Sequence, residues 1–401
     1  MEEGINWVAN QNARKKGVKA SIASFSENEI NKVISFHKSF PQYKDTPLRS
    51  LSNLANSSGV KGIYVKDESF RFGLNAFKVL GASYAMGRYL SQLLNIDIAG
   101  LSFEMLNTDE IRAKLGEITF ASTTDGNHGR GVAWAAQQLG QKAVIYMPKG
   151  SALIRLENIK ATGAEGYITA MNYDDTVRMT ADKAKKNGWV VVQDTAWEGY
   201  EDIPTWIMQG YAVMAKEALA QLIQQGINAP THVFIQAGVG SLAGSIQGYI
   251  ASIFGDSRPI TAVVEPNKAD CFYKSAQAGD GHPRNVTGDL DTIMAGLACG
   301  EPNPQGWNIL WDYCDMFISC PDYIAAKGMR ILGNPLGEDP RVVSGESGAV
   351  TAGILFEILH NKNLKELKEQ LKLGHDSTIL VFSTEGDTDP VNYRKIVWDG
   401  E

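Results

Sequence analysis

From about residue 119 the chain alternates short runs of β-branched and other apolar residues with longer stretches whose apolar positions recur at helical spacing. The runs Ile118 to Ser122, Ala143 to Met147, Gly166 to Thr169 and Val190 to Gln193 predict strands, each bounded by turn residues. Helical periodicity fills 130–139, 151–162 and 174–187, the last two stopping before Gly163 and Gly188. Strand, helix, strand at this spacing makes parallel βαβ units, because a parallel crossover needs a connection of helix length. A second series has strands near 232–236, 260–264, 315–319 and 378–383, with helices near 205–225, 241–253, 321–332 and 348–360. The expectation is an α/β chain with two open, mostly parallel twisted sheets flanked by helices. Crossings near 85–90 and from Trp197 to Pro204 suggest a large domain, 1–84 with 196–401, and a small α/β domain, 85–195. No repeat of solenoid period and no low-complexity tract interrupts the alternation.

Length agrees with two domains: the chain has 401 residues, and single cores stop growing near ~250 residues. A net charge of -7 speaks against nucleic acid or an anionic membrane as partner, since both select a dominant basic field. The basic cluster Arg14, Lys15 and Lys16 is not followed by an apolar run, so the secretory pattern is missing. No stretch approaches the ~20 apolar residues of a membrane span, and a cytoplasmic protein is expected. Cys271, Cys299, Cys314 and Cys320 match neither a zinc ribbon nor a CxxC pair. They read as small buried hydrophobes, no metal is expected, and spacing alone does not pair Cys271 with Cys299.

In open α/β sheets ligands gather beyond the carboxyl ends of the strands. Gly238-Val239-Gly240-Ser241-Leu242-Ala243-Gly244 lies there, directly after the apolar run Val233 to Ala237 and before a helix. Such a turn aims backbone N–H groups and the helix dipole at an anion, and side chains in place of the glycines would block its approach. It is no Walker loop, because no Gly-Lys-Ser/Thr follows. A single phosphate, a dinucleotide with Glu265 on a ribose hydroxyl, and a plain packing turn all remain open.

Lys78 stands among apolar and small neighbours in Phe72-Gly73-Leu74-Asn75-Ala76-Phe77-Lys78-Val79-Leu80-Gly81-Ala82. Desolvation frees such an amine as a nucleophile toward an aldehyde, although a stem reaching out to water is the commoner fate of a lone lysine. Thr123-Thr124-Asp125-Gly126-Asn127-His128-Gly129 opens a helix after a strand, so its N–H groups suit a carboxylate, with ordinary helix capping by Asp125 or Asn127 as the alternative. Ser383, at the end of the last strand, offers a hydroxyl for a pyridine nitrogen or for turn duty.

Taken in chain order, the Phe77-Lys78 pair, the Gly126-Asn127-His128 loop, the glycine turn at Gly238 and the strand ending in Ser383 resemble the fold type II pyridoxal-phosphate enzymes, the tryptophan synthase β and threonine dehydratase family. Longer runs resemble the diaminopropionate ammonia-lyases within that family, from about Pro47 to Trp398. They include Gln193-Asp194-Thr195-Ala196-Trp197-Glu198-Gly199-Tyr200, Ala295-Gly296-Leu297-Ala298-Cys299-Gly300-Glu301 and Ser344-Gly345-Glu346-Ser347-Gly348-Ala349. The resemblance implies pyridoxal 5'-phosphate held by Lys78 as a Schiff base. It also implies a phosphate cradle of Gly238, Val239, Gly240, Ser241, Leu242 and Ala243, with Asn127 at the phenolic oxygen, Ser383 near the pyridine nitrogen and Glu346 among the cofactor-binding residues. Thr124, Asp125, Gly126, Asn127 and Asp194 are the implied substrate contacts.

The implied reaction is elimination of ammonia from D- and L-2,3-diaminopropionate, giving pyruvate and two ammonia, by a homodimer. Asp125 fits a substrate with a β-ammonium better than serine or threonine, the substrates of the dehydratases that form the alternative. The isomers present their α-protons on opposite faces, so two bases are expected: Asp125 for the D isomer and Asp194 for the L isomer, with Lys78 as a possible proton shuttle.

Overall fold

A computed structural model of the chain describes residues 4–124 and 126–400. Its strands are β1 (Asn6–Ala9), β2 (Leu48–Ser50), β3 (Gly62–Asp67), β4 (Thr119–Thr123), β5 (Lys142–Met147), β6 (Glu165–Ile168), β7 (Val190–Val191), β8 (His232–Gln236), β9 (Ile260–Pro266), β10 (Met316–Cys320) and β11 (Thr378–Ser383). Among the described residues they form two sheets, ordered β1-β10-β9-β8-β11-β3-β2 and β6-β5-β4-β7. The smaller sheet is parallel throughout. The larger is parallel from β10 to β3, and β1 and β2 close its edges antiparallel.

Every residue of β8 and β11 is buried, as continuous apolar runs require when helices cover both faces of a parallel sheet. The helices that matter below are α1 (Val79–Leu94), α2 (Asn127–Gln138), α3 (Leu153–Lys160), α4 (Tyr173–Asn187), α5 (Asp202–Gln224), α6 (Ser241–Phe254), α7 (Cys271–Ala278), α8 (Asp322–Gly333) and α9 (Glu346–His360). Local chemistry fixes their ends. Asn172 accepts from the Asp175 N–H at 2.8 Å to open α4, whose first turn carries Asp174 and Asp175 and whose last carries Lys185 and Lys186, in keeping with the helix dipole.

The expected α/β class with two mostly parallel sheets is the observed one, and the strand and helix series after residue 119 is present. One strand is shorter than expected: β7 stops at Val191, where the pattern ran to Gln193. No helix of the described residues is long and apolar enough to cross a membrane.

The residues gather into two compact units, the first comprising 1–23, 45–70 and 214–401, the second 24–44 and 71–213. The small domain expected over 85–195 lies inside the second unit, which extends beyond it on both sides. The first unit has a core in which Phe234, Val264, Ile318 and Val381 of the sheet meet Ile324 and Met329 of α8 and Val350, Ile354 and Ile358 of α9.

Also inside the first unit, the side chain of Lys66 on β3 is fully buried. Its ammonium donates to the Thr46 carbonyl at 2.6 Å and to Gln221 Oε1 at 2.9 Å, and lies 2.7 Å from Glu217 Oε2. A buried charge is tolerable only when its partners are this complete. Lys66→Met removes the cation beside Glu217 and is expected to destabilise the fold by ~3–5 kcal/mol, read from the urea midpoint; a loss under ~1 kcal/mol would show that the buried charges do not depend on each other.

Candidate active site

In the second unit, Lys78 ends a tight segment in which Phe72 and Asn75 take left-handed backbone angles (φ 50° and 59°), and it occupies the position just before α1. Its side chain is 16 % exposed. The rings of Phe77 and Tyr211 lie 5.5 Å and 5.8 Å from Nζ. The stem does not reach out to water: the ammonium pairs with Asp194 Oδ2.

Asp194 follows β7 and is buried. The Tyr211 hydroxyl donates to its Oδ2 at 3.4 Å, and Nδ1 of His128 lies 3.9 Å from the same oxygen. Burial pushes the Asp194 carboxyl up, but Lys78 and then His128 pull the other way, leaving it lowered to about 2. The other ring nitrogen of His128, Nε2, sits 2.8 Å from the Val192 carbonyl. A carbonyl only accepts, so Nε2 carries the hydrogen there.

The loop before α2 is turned by Thr124, whose Oγ1 accepts from the Gly126 N–H at 2.8 Å while its own N–H donates to the Tyr146 carbonyl at 3.1 Å. Asn127 is the first residue of α2, and Gly126 takes the capping position with no side-chain cap. Asp125 lies outside the described residues.

The first unit holds the remaining candidates. Gly240, with φ at 88°, is the N-cap of α6 and has no side chain with which to cap it. A Cβ on Gly240 would sit 2.1 Å from the Phe272 ring, and one on Gly238 2.8 Å from the Gly296 carbonyl oxygen. The two glycines are therefore required by the chain's own packing, a different reason from the ligand approach expected of them. Ser241, Leu242 and Ala243 form the buried first turn of α6, whose N–H groups point out of the helix start. Asn303 braces this turn, donating from its backbone N–H to the Val239 carbonyl and from Nδ2 to Ser241 Oγ, both at 2.7 Å.

At the neighbouring strand end the Ser383 hydroxyl bonds Ser344 Oγ at 2.8 Å. Gln236 ties the two strand ends together, donating from Nε2 to Thr384 Oγ1 at 2.8 Å. Glu346 opens α9 and accepts from Asn392 Nδ2. Glu385 holds the start of the same helix, its backbone carbonyl taking the Gly345 N–H at 3.0 Å and its Oε1 the Ser347 N–H at 3.2 Å. Glu265 has its oxygens on the Phe272 and Tyr273 N–H groups, at 2.9 and 2.7 Å, so it caps α7 and is not directed at a ribose.

Of the residues singled out from sequence, the structure brings Lys78 and Asp194 together within the second unit. It groups the glycine turn and Ser383 by adjacent strand ends within the first. His128, Tyr211, Ser344 and Glu385 were not anticipated. His128 stands inside a loop already noted, but its partner comes from another strand end. Chemically, the set contains an amine on a mostly buried side chain, a carboxylate on that amine, a helix start whose N-cap is a glycine, and a hydroxyl at a strand end. Taken unit by unit, an amine of this kind can react with an aldehyde, and a helix start of this kind can take a phosphate.

The family model described as pyridoxal-phosphate dependent enzyme matches residues 40–384. The chain is similar to the diaminopropionate ammonia-lyase of Salmonella typhimurium, 52% identical over 401 residues, covering 100% of this chain and 99% of that one. It is also similar to the crystal structure of diaminopropionate ammonia-lyase from Escherichia coli in complex with D-serine, with a TM-score of 0.92 at 52% identity, covering 100% of this chain and 98% of that one. The same Escherichia coli enzyme in complex with an aminoacrylate-PLP azomethine reaction intermediate matches with a TM-score of 0.90 at 51% identity, covering 99% of this chain and 97% of that one.

Two outcomes follow from this geometry. A carboxyl held below its ordinary 3.8 contributes stability that is complete above that value and drains away as pH falls through about 2. In Lys78→Ala the cation is gone and burial acts with less opposition, so the acid-unfolding midpoint followed by circular dichroism should move to higher pH; an unchanged midpoint would mean that Lys78 does not hold Asp194 ionised. Gly240→Ala combines a left-handed backbone with a ring collision and should cost ~2–4 kcal/mol in urea unfolding, whereas a wild-type midpoint would show that the turn has room to relax.

Proposed function

Since the chain belongs to the pyridoxal-phosphate dependent enzyme family and, within it, to the diaminopropionate ammonia-lyases, we propose that it eliminates ammonia from D- and L-2,3-diaminopropionate, converting each with one water to pyruvate and two ammonia. The observation that carries this reading is full-length similarity at 52% identity in a chain whose Lys78 is paired with a buried carboxylate. The residues present fit the cofactor. Lys78 would hold its aldehyde carbon, the turn of Gly238, Val239, Gly240, Ser241, Leu242 and Ala243 its phosphate, Asn127 its phenolic oxygen and Ser383 its pyridine nitrogen, with Glu346 close by. When bound, pyridoxal phosphate draws off the electron pair left at the α-carbon.

The chain's own groups then handle protons. Thr124, Asp125, Gly126, Asn127 and Asp194 bind the amino acid. Asp125 serves as base for the D isomer and Asp194 for the L isomer. Paired with Lys78, Asp194 is held ionised and ready to accept a proton. As the positive charge on Lys78 withdraws, burial regains the upper hand and Asp194 can keep that proton, then give it to a departing amine, which leaves readily only when protonated. Lys78 is suited to shuttle protons because its amine already touches Asp194. The same family resemblance supports a cytoplasmic homodimer acting on a small amino acid, with no nucleic-acid or membrane partner.

Purified protein should release ammonia and pyruvate from both isomers, faster than from serine or threonine, and Lys78→Ala should release neither above background. Asp194→Asn should slow the L isomer by ~10²–10⁴-fold and the D isomer less. Preferential production of oxobutyrate from threonine would identify a dehydratase instead, and loss of the D reaction alone would reverse the two bases.

A further inference from the structure

β4 and β7 pair over only two rungs, Phe120 with Val190 and Ala121 with Val191, and the Val192 N–H still reaches the Ala121 carbonyl at 2.8 Å. Beyond that point the backbone of the shorter strand departs. The Thr123 N–H nevertheless has an acceptor, the side-chain Oε1 of Gln193 at 2.9 Å; the Ser122 hydroxyl, 3.2 Å from the same oxygen, donates to the Val192 carbonyl at 2.7 Å. The amide Nε2 of Gln193 donates to the Tyr173 hydroxyl at the start of α4, at 2.8 Å. The backbone N–H of Gln193 is turned to the Tyr200 hydroxyl at 2.7 Å, and that hydroxyl donates to the Val191 carbonyl at 3.0 Å. Stacking of Tyr200 on Trp197, centroids 4.2 Å apart and 19° between planes, fixes the returning turn.

We propose that Gln193 is a positioning residue for the Lys78–Asp194 pair, its side-chain amide replacing a missing rung of the β4–β7 ladder so that the next residue can leave the sheet for Lys78. The side-chain type follows from the bonds it makes. Oε1 accepts from the Thr123 N–H and Nε2 donates to the Tyr173 hydroxyl, which a neutral amide does and a carboxylate does not. Asparagine is one methylene shorter. The residue is buried, so loss of the amide would leave the Thr123 N–H with no acceptor from water. Among the described residues, the groups facing Asp194 include Lys78 before α1, His128 on α2, Tyr211 on α5 and Tyr200 in the returning turn. Those nearest the Gln193 amide are the hydroxyls of Ser122 and Tyr173. The proposal rests on the reading in which Lys78 and Asp194 do the chemistry.

The test reads Lys78 directly. The full chain, freed of cofactor, is treated at pH 8 with a limiting amount of acetic anhydride, and acetylation of Lys78 is followed by mass spectrometry of its peptide. With Asp194 in place the ammonium is favoured and labelling is slow. Gln193→Ala should let Asp194 drift and raise the labelling rate by ~10-fold, one decade for each 1.36 kcal/mol of lost interaction. In the loaded enzyme, kcat for the L isomer should fall by ~100-fold, the usual scale for an ångström of misplacement, with KM little changed.

Gln193→Glu should act in the opposite sense on labelling: it keeps the acceptor for Thr123 but sets a negative charge beside the pair, so Lys78 labels more slowly than in wild type. A merely structural amide would lower the melting temperature in both variants and leave Lys78 labelling in Gln193→Ala unchanged, and that result overturns the proposal. Asp194→Asn is the reference. If it too leaves labelling unchanged, the pair itself is misread; if it raises labelling while Gln193→Ala does not, only the positioning role fails. Should Gln193→Ala not fold, Gln193→Asn, whose neutral amide is one methylene short of the Thr123 N–H, takes its place: faster Lys78 labelling supports the proposal and unchanged labelling overturns it.

Discussion

An ammonium and a carboxylate share a mostly dry corner of the second unit, and each makes the other tolerable there. Desolvation alone would drive a proton onto Asp194 and off Lys78, because a low dielectric disfavours both charges. Their mutual attraction reverses that on the carboxylate, with His128 adding to it. The result is a poised state. Any change that withdraws the charge of Lys78 raises the proton affinity of Asp194, since burial then acts with less opposition.

Much of the second unit can be understood as holding that pair in register. Lys78 is fixed by the start of α1, and α2 comes in close against the same point. A Cβ on Gly131 of α2 would sit 2.9 Å from the Val79 backbone nitrogen, so only glycine lets the two helices approach this far. That approach accompanies the placing of His128, one turn earlier on α2, beside Asp194. The carboxylate side is held through β4 instead, by the Val192 and Gln193 contacts to Ala121, Ser122 and Thr123. Two sets of restraints, one from helix packing and one from the sheet, thus converge on one ion pair.

The alternation after residue 119 was plain in the sequence because parallel βαβ units leave a strong local signature: apolar runs, then helical periodicity, then glycine. The segment before it was not. β1 and β2 are four- and three-residue edge strands paired antiparallel, too short to show a period. β3 carries a fully buried lysine, and a lysine in a six-residue run reads as a surface position until Gln221 and Glu217 are seen around it. At the site, the backbone turns were legible because glycines and strand ends mark them. The side-chain partnerships were not. Lys78 and Asp194 are 116 residues apart, and Ser383 and Ser344 are 39 apart; no local spacing encodes such meetings.

Glu265 shows why local pattern leaves function ambiguous. A glycine turn after one strand and an acid at the end of the next is the arrangement that serves a dinucleotide, with the acid on a ribose. The chain has both, in the right order, on β8 and β9. Yet the two oxygens of Glu265 go to consecutive N–H groups of α7, where a carboxylate at a helix start is stabilised by the dipole as well as by the bonds. Burial pushes its carboxyl well up, and the backbone donors oppose the shift. Phe272, one of the residues whose N–H is capped, is the same residue whose ring fills the space a Cβ on Gly240 would need. The acid thus fixes the helix that walls the glycine turn, and its oxygens are taken up there rather than on a sugar.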